Sequence, residues 1–179
     1  PKDFPNAEGV IDVVYNPLKT DFVQKAESLG IKAEGGLYML VMQAILAAEH
    51  FLDEKIPKEK AESIYLDILR EKKNIVLIGM PGCGKTTVGK ILSKELSMPL
   101  FDSDELIIEK TGRKITDIFE KDGEGAFRKI ESEVILELSG KTGCVISTGG
   151  GAVLNSENIR NLSKNGKIYF IDRPLENLV

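Results

Sequence analysis

The stretch Ile75-Val-Leu-Ile-Gly-Met-Pro-Gly-Cys-Gly-Lys-Thr-Thr87 decides how the rest of the chain is read. Four consecutive apolar residues, Ile75 to Ile78, have the composition of a buried strand, and Gly79, Gly82 and Gly84 break it. Val88-Gly-Lys-Ile-Leu92 then opens a helix. A Gly-x₄-Gly-Lys-Thr spacing between strand and helix is that of a phosphate-binding loop. Its glycines turn backbone N–H groups inward around phosphate oxygens, and the helix N-terminus adds a favourable dipole. Residues 79–87 are therefore expected to cradle a nucleoside triphosphate, with Cys83 and Thr87 inside the loop. Lys85 is placed for the β/γ-phosphates and the Thr86 hydroxyl for Mg²⁺. A plain glycine turn is the alternative, and the strand before the loop and the helix after it argue against that.

Strands and helices alternate from Asn74 onward. The pattern predicts strands at 75–79, near 99–101, at 144–148 and at 168–172, with helices at 85–97, 104–110, 115–121, 125–139 and 156–163. Apolar strands separated by helices predict an α/β fold, a parallel sheet covered by helices on both faces. Upstream, Val10-Ile-Asp-Val-Val14 reads as a strand ended by Asn16-Pro17. Thr20 is placed to cap a helix that carries Phe22, Val23, Ala26 and Leu29 on one face and stops at Gly30. A short link with Gly35-Gly36 leads to a second helix over about 37–52. Residues 57–73 are charge-rich, but Ile64, Ile68 and Leu69 recur at helical spacing, which predicts an amphipathic connecting helix. The expected domains are thus 1–56, a helical linker at 57–73, and 74–179.

Composition narrows the function classes. The 179 residues are 42% hydrophobic, enough for a core. Lys and Arg number 24 against 28 Asp and Glu, a net charge of −4 without the basic patch that a nucleic-acid partner requires. No apolar run reaches the roughly 18–20 residues that cross a bilayer, so no membrane partner is expected. The two cysteines, Cys83 and Cys144, fit neither a disulfide framework nor a zinc spacing, which points to a reducing cytoplasm. Nothing in the sequence names a protein partner.

Three further groups carry chemistry. Asp102-Ser-Asp104 follows the strand ending at Phe101, where side chains enter the ligand crevice of an open α/β sheet. One carboxylate is suited to organise Mg²⁺ and the other to accept a proton from a substrate hydroxyl; helix N-capping is the alternative and is compatible with both. Arg128 precedes Glu131 by three residues on one helix face, as a surface ion pair or as an Arg oriented to grip a carboxylate. Ser147-Thr-Gly-Gly-Gly151 ends an apolar strand, and its glycines permit close approach of backbone to a ligand or form an ordinary turn. Ser147 and Thr148 stand where a Walker B carboxylate is expected. Asp172 reads as a strand-end turn residue. Cys83 reads as a small residue that fits its loop, with a redox role as the alternative. His50 reads as a response to a helix C-terminus rather than a metal ligand.

The phosphate loop, Asp102-Ser-Asp104, Thr111-Gly-Arg-Lys-Ile115, Gly123-Glu-Gly-Ala-Phe-Arg128 and Gly149-Gly-Gly151 together resemble shikimate kinase over residues 74–179. The resemblance implies a P-loop kinase fold and transfer of the ATP γ-phosphate to the 3-hydroxyl of shikimate. It implies Asp104 as the base at the accepting hydroxyl, Asp102 as organiser of Mg²⁺ and Arg128, oriented by Glu131, on the shikimate carboxylate. Gly149, Gly150 and Gly151 would approach shikimate through their backbone. Another small-molecule P-loop kinase, or a nucleotide-binding module without turnover, is the alternative.

Asp12-Val-Val-Tyr-Asn-Pro-Leu-Lys-Thr20, Gly36-Leu-Tyr-Met-Leu40 and Gln43-Ala44 resemble the C-terminal end of shikimate dehydrogenase. That likeness implies a partial Rossmann-type strand and helix segment, with Tyr15 and Gln43 at a shikimate site and Gly36 and Met39 near a nicotinamide, NADP being the cofactor of the complete enzyme. A dehydrogenase–kinase fusion follows as the expected parent. The chain opens without methionine and stops soon after Pro174, a possible helix start, so it reads as an excerpt. The dinucleotide loop of the dehydrogenase, and the lid and last strand of the kinase, lie outside it. No dehydrogenase activity, weakened turnover and an exposed sheet edge are the corresponding expectations.

Overall fold

In the computed structural model, residue 4 and residues 6–173 are described; the helix start expected at Pro174 lies outside them. The chain forms two compact units, Pro1–Lys72 and Lys73–Val179.

In the first unit, β1 (Gly9–Ile11) pairs in parallel with β2 (Lys32–Glu34). The strand expected over 10–14 is shorter, because Asp12 turns the chain: its carboxylate accepts from the Val14 amide at 3.0 Å and from the Thr20 hydroxyl at 2.5 Å. Thr20 caps α1 (Asp21–Ser28) by accepting from the Val23 amide at 3.3 Å. Only Val23 and Ala26 of the expected apolar face are buried, while Phe22 and Leu29 are exposed. The link expected before the second helix contains β2, whose alternation shows only Ala33 turned partly inward between Lys32 and Glu34. Gly36 then lies against the backbone of Val13 and Val14 and donates to the Val14 carbonyl at 2.9 Å.

From there α2 (Leu37–Leu52) runs as expected, with His50 in its last turn. The stretch expected as a connecting helix is α3 (Lys58–Lys72). Its Ala61, Ile64, Ile68 and Leu69 pack on Leu37, Val41 and Ile45 of α2, within the first unit.

The second unit is a four-stranded parallel sheet in the order β4-β5-β3-β6: Leu100–Asp102, Val145–Ser147, Asn74–Ile78 and Gly166–Phe170. Its core joins Val76 and Ile146 of the sheet to Ile107, Ile118, Phe127, Val134, Ile135 and Leu138 of the helices. Those helices are α4 (Lys85–Leu96), α5 (Ser103–Thr111), α6 (Ile115–Ser139) and α7 (Ser156–Leu162), with a 3₁₀ turn at Ala152–Leu154. The two helices expected at 115–121 and 125–139 are both present within α6, separated at Gly123, whose φ of 82° and ψ of 169° are not helical. The last strand begins two residues earlier than expected because Gly166 pairs with Asn74; a Cβ there would stand 2.6 Å from Val76.

β6 lies at one side of the described sheet, and Tyr169 and Phe170 are exposed on it, 42% and 63%. Asp172 follows that strand. No described helix is long and apolar enough to cross a membrane.

Because all four strands are parallel, their C-terminal ends share one edge. The register sets Asp102 beside Ser147 and Ser147 beside Leu77, so the loops after β4, β5 and β3 leave the sheet at one level. That is where ligands bind in open α/β sheets.

Candidate active site

At this edge the loop of residues 79–84 leads into α4, with Gly84 as its N-cap at φ +98°. The Lys85 ammonium, on a residue only 8% exposed, donates to the carbonyls of Gly79 at 2.9 Å and Met80 at 2.8 Å. Burying an ammonium is costly unless its hydrogen bonds are met, and these carbonyls meet them. Cys83 is buried, with Sγ 3.7 Å from the same ammonium. Thr87 is exposed.

Asp102-Ser-Asp104 ties this loop to the next. Asp102 is the N-cap of α5: Oδ1 accepts from the Asp104 amide at 3.0 Å, while Oδ2 accepts from the Thr86 hydroxyl at 2.8 Å. The Ser147 hydroxyl lies 3.4 Å from that of Thr86. Capping and participation in the site, both open from the sequence, coexist at Asp102. Thr86, Asp102 and Ser147 form a cluster of hard oxygen donors of the kind that suits Mg²⁺.

Asp104 faces the glycine triplet. A Cβ on Gly149 would stand 2.6 Å from Asp104 Oδ1 and 3.0 Å from Glu131 Oε1. Burial, then the charges of Asp102 and Glu131, push the Asp104 carboxyl above the usual carboxylate range, against the lowering effect of Lys85 and a Ser103 hydrogen bond. A carboxylate so placed is a better proton acceptor than an exposed one.

Arg128 projects from α6 into the same space. Glu131, 1% exposed, accepts from Arg128 Nη1 at 2.9 Å, while Glu124 Oε1 accepts from Nη2 at 3.1 Å and Nε at 3.3 Å. Its other oxygen, Glu131 Oε1, is the one buried side-chain oxygen or nitrogen without a partner among the described residues. The pair is therefore more than a surface contact, since Arg128 is fixed by a buried carboxylate. A Cβ on Gly151 would lie 2.1 Å from Arg128 Nη1, and one on Gly150 would lie 2.5 Å from the Pro81 ring.

The structure thus brings together Lys85, Thr86, Asp102, Asp104, Arg128 and the triplet Gly149 to Gly151. Sequence reading missed Ser103, whose hydroxyl accepts from the Gly149 amide at 2.8 Å. It also missed Pro81 against Gly150, Glu124 on Arg128, and the ring of Phe127 packed on Phe119 at 4.5 Å and under Arg128 at 5.3 Å. Only the Glu124 pair had a local signal, its i,i+4 spacing to Arg128. In the first unit Tyr15, Met39 and Gln43 are exposed and Gly36 is buried.

Residues 81–179 match the family model described as shikimate kinase. Shikimate kinase of Clostridium botulinum (strain Eklund 17B / Type B) is 49% identical over 108 residues, which are 60% of this chain and 65% of that protein. The shikimate kinase of Caldicellulosiruptor bescii is 48% identical over 107 residues, 60% of this chain and 62% of that one. The chain therefore spans less than two thirds of the length of these curated relatives. Among solved structures, shikimate kinase from Acinetobacter baumannii in complex with shikimate aligns with a TM-score of 0.60 and 39% identity over 63% of each chain. Shikimate kinase from Aquifex aeolicus aligns with a TM-score of 0.54 and 46% identity over 57% of this chain and 61% of that one. With the phosphate loop, the paired aspartates and the glycine triplet gathered at one sheet edge, the chain belongs to the shikimate kinase family.

Proposed function

We propose that the site transfers the γ-phosphate of ATP to the 3-hydroxyl of shikimate. One observation carries this reading: Asp104, the guanidinium of Arg128 and the backbone of Gly149 to Gly151 converge beside the phosphate loop, with Gly150 against Pro81. An acceptor that combines a carboxylate with ring hydroxyls fits that set. Arg128 takes its carboxylate in a charge-assisted fork, the triplet lets it lie against backbone, and Asp104 faces the hydroxyl that attacks.

In the reaction the 3-hydroxyl gives its proton to Asp104 as its oxygen bonds to the γ-phosphorus. The bond from that phosphorus to the β–γ bridging oxygen breaks, and ADP leaves. Lys85 and the amides at the start of α4 neutralise charge on the transferring phosphoryl group. Mg²⁺, when bound, neutralises phosphate charge further; Thr86 and Asp102 would hold it. The role of the chain is positioning and electrostatics rather than covalent chemistry.

The test is ADP release with and without shikimate, together with calorimetric binding of shikimate to wild type and Arg128→Ala. Shikimate-dependent release, and binding lost in the variant, are expected. Folded protein whose ADP release ignores shikimate would sink the assignment.

We further propose that residues 1–56 derive from a shikimate dehydrogenase end, 57–73 connect them to the kinase part at 74–179, and the parent carries both activities. Support comes from Gly36, which draws the segment bearing Tyr15 up to the start of α2, where Met39 and Gln43 share one exposed face. Sequencing the upstream reading frame tests this: a strand–helix unit with Gly-x-Gly-x-x-Gly is expected, and its absence ends the fusion proposal.

A further inference from the structure

The sheet ladder at the end of β5 closes with the Thr148 amide, which donates to the Leu77 carbonyl at 3.1 Å. The next amide, Gly149, leaves the sheet and donates instead to Ser103 Oγ at 2.8 Å, on a serine with no solvent exposure. Ser103 is free for this because Asp102, not Ser103, caps α5. Its neighbours have partners of their own: Asp102 holds the Thr86 hydroxyl, and Asp104, which also takes a Ser103 hydrogen bond, faces Gly149. The peptide that Ser103 holds begins the triplet that lies against Asp104, Pro81 and Arg128.

We infer that Ser103 is a positioning residue for the phosphoryl acceptor: its hydroxyl sets the direction in which the glycine triplet leaves β5, and so fixes the backbone wall opposite Asp104. This rests on the acceptor reading proposed above and deepens it. Without the hydroxyl the Gly149 amide is buried and unpaired, a state that native structures avoid by moving the backbone. The nucleotide loop is tethered separately, through Thr86 and Asp102, so the effect falls on one substrate and not the other.

The test compares wild type, Ser103→Ala and Ser103→Thr, with folding checked by circular dichroism. Two quantities are read: hydrogen exchange of the Gly149 amide by NMR, and calorimetric affinities for shikimate and ADP. Ser103→Ala is expected to speed exchange at Gly149 and weaken shikimate binding, each by about ten-fold, with ADP affinity within about two-fold of wild type. Ser103→Thr, which keeps the hydroxyl, restores both. If Ser103→Ala does not fold, Ser103→Cys, a weaker acceptor of similar size, takes its place with the same expectations.

Unchanged exchange at Gly149 in a folded variant overturns the inference. So does faster exchange with shikimate affinity intact, or an equal loss of shikimate and ADP affinity, which marks general loosening. Wild-type protein that binds ADP but no shikimate is distinguishable from all of these, since it overturns the acceptor assignment itself.

Discussion

In the loop after β3, Gly82 and Gly84 sit at φ of +76° and +98°, and nothing stands within 4 Å of where their Cβ atoms would be. In the triplet after β5 the situation is reversed. Gly149, Gly150 and Gly151 are not among the positive-φ glycines, yet a Cβ on each would stand 2.6 Å or less from Asp104, Pro81 or Arg128. The first loop needs glycine for its backbone shape, which the proposed function uses to turn amides toward phosphate. The second needs glycine for space, because Asp104, Pro81 and Arg128 approach the chain there. Under the proposed function, two segments that look alike as strings of glycine divide the candidate site into a nucleotide half and an acceptor half. Substitutions should separate the halves.

The largest effect is expected at Asp104, which touches both halves through Asp102 and Gly149. Asp104→Asn should lower kcat by about 10²–10⁴-fold, the usual contribution of a positioned general base, while both ligands still bind. A steady-state assay with calorimetry checks this, and near-normal turnover would remove Asp104 from the reaction. The same variant makes a stability prediction of opposite sign. The folded pKa of Asp104 is raised, first by burial and then by Asp102 and Glu131. Between its unfolded and folded values the native state therefore holds a proton that the unfolded state has released, and stability falls as pH rises through that window. Asp104→Asn should melt at a higher temperature than wild type at neutral pH. The advantage should fade as acid protonates the wild-type carboxyl. A variant that melts lower at neutral pH would show that hydrogen bonds to the carboxylate outweigh its burial.

Next comes Gly151→Ala. Its Cβ would stand 2.1 Å from Arg128 Nη1, and Arg128 cannot retreat without leaving buried Glu131 unpaired. Losing one partner of such a pair costs about 2–3 kcal/mol, so shikimate affinity should fall roughly 30- to 150-fold. ADP affinity should not change. Equal losses for both ligands would erase the division between the halves.

Gly84→Ala is the matching change in the nucleotide half. At φ +98° an alanine is strained by about 1–2 kcal/mol even in open space, which predicts roughly 5- to 30-fold weaker ADP binding and unchanged shikimate binding. Full ADP affinity in this variant would mean that the loop does not need its left-handed residue.

How legible each half was follows from the same difference. The nucleotide half is local: strand, glycine turn, Lys85, Thr86 and helix are contiguous, so spacing alone revealed them. Asp102 and Asp104 were legible as a pair because they stand where a strand gives way to a helix, and Arg128–Glu131 because three residues is a helical interval. Ser103 and Pro81 were not, because their partners Gly149 and Gly150 are distant in sequence and meet them only through the parallel register of β4, β5 and β3. The same limit explains the strands. β2 was hidden because Lys32 and Glu34 face out and leave one inward residue, too few for alternation to register. The start of β6 was misplaced because Gly166 has no β-propensity and enters the sheet only through its close approach to Val76.

The smallest effect is expected at Cys83, and it tests whether the nucleotide half depends on backbone alone. Its thiol is buried beside Lys85, a position that invites a redox role. Yet the Lys85 ammonium already has carbonyl partners at 2.9 and 2.8 Å, and sulfur at 3.7 Å is a weak third acceptor. Cys83→Ala therefore removes little that Lys85 needs, and ADP affinity should stay within about two-fold of wild type, with a modest fall in melting temperature from the lost sulfur volume. A ten-fold loss of affinity would show that the thiol shapes the cradle. Measuring ADP binding after peroxide treatment separates the remaining readings: equal affinity in oxidised wild type and variant leaves Cys83 a space-filling residue, whereas loss confined to wild type makes the loop redox-sensitive. Either way the amides proposed to face the phosphates belong to the backbone, which is why a side chain inside the loop can be exchanged more cheaply than the glycine beside it.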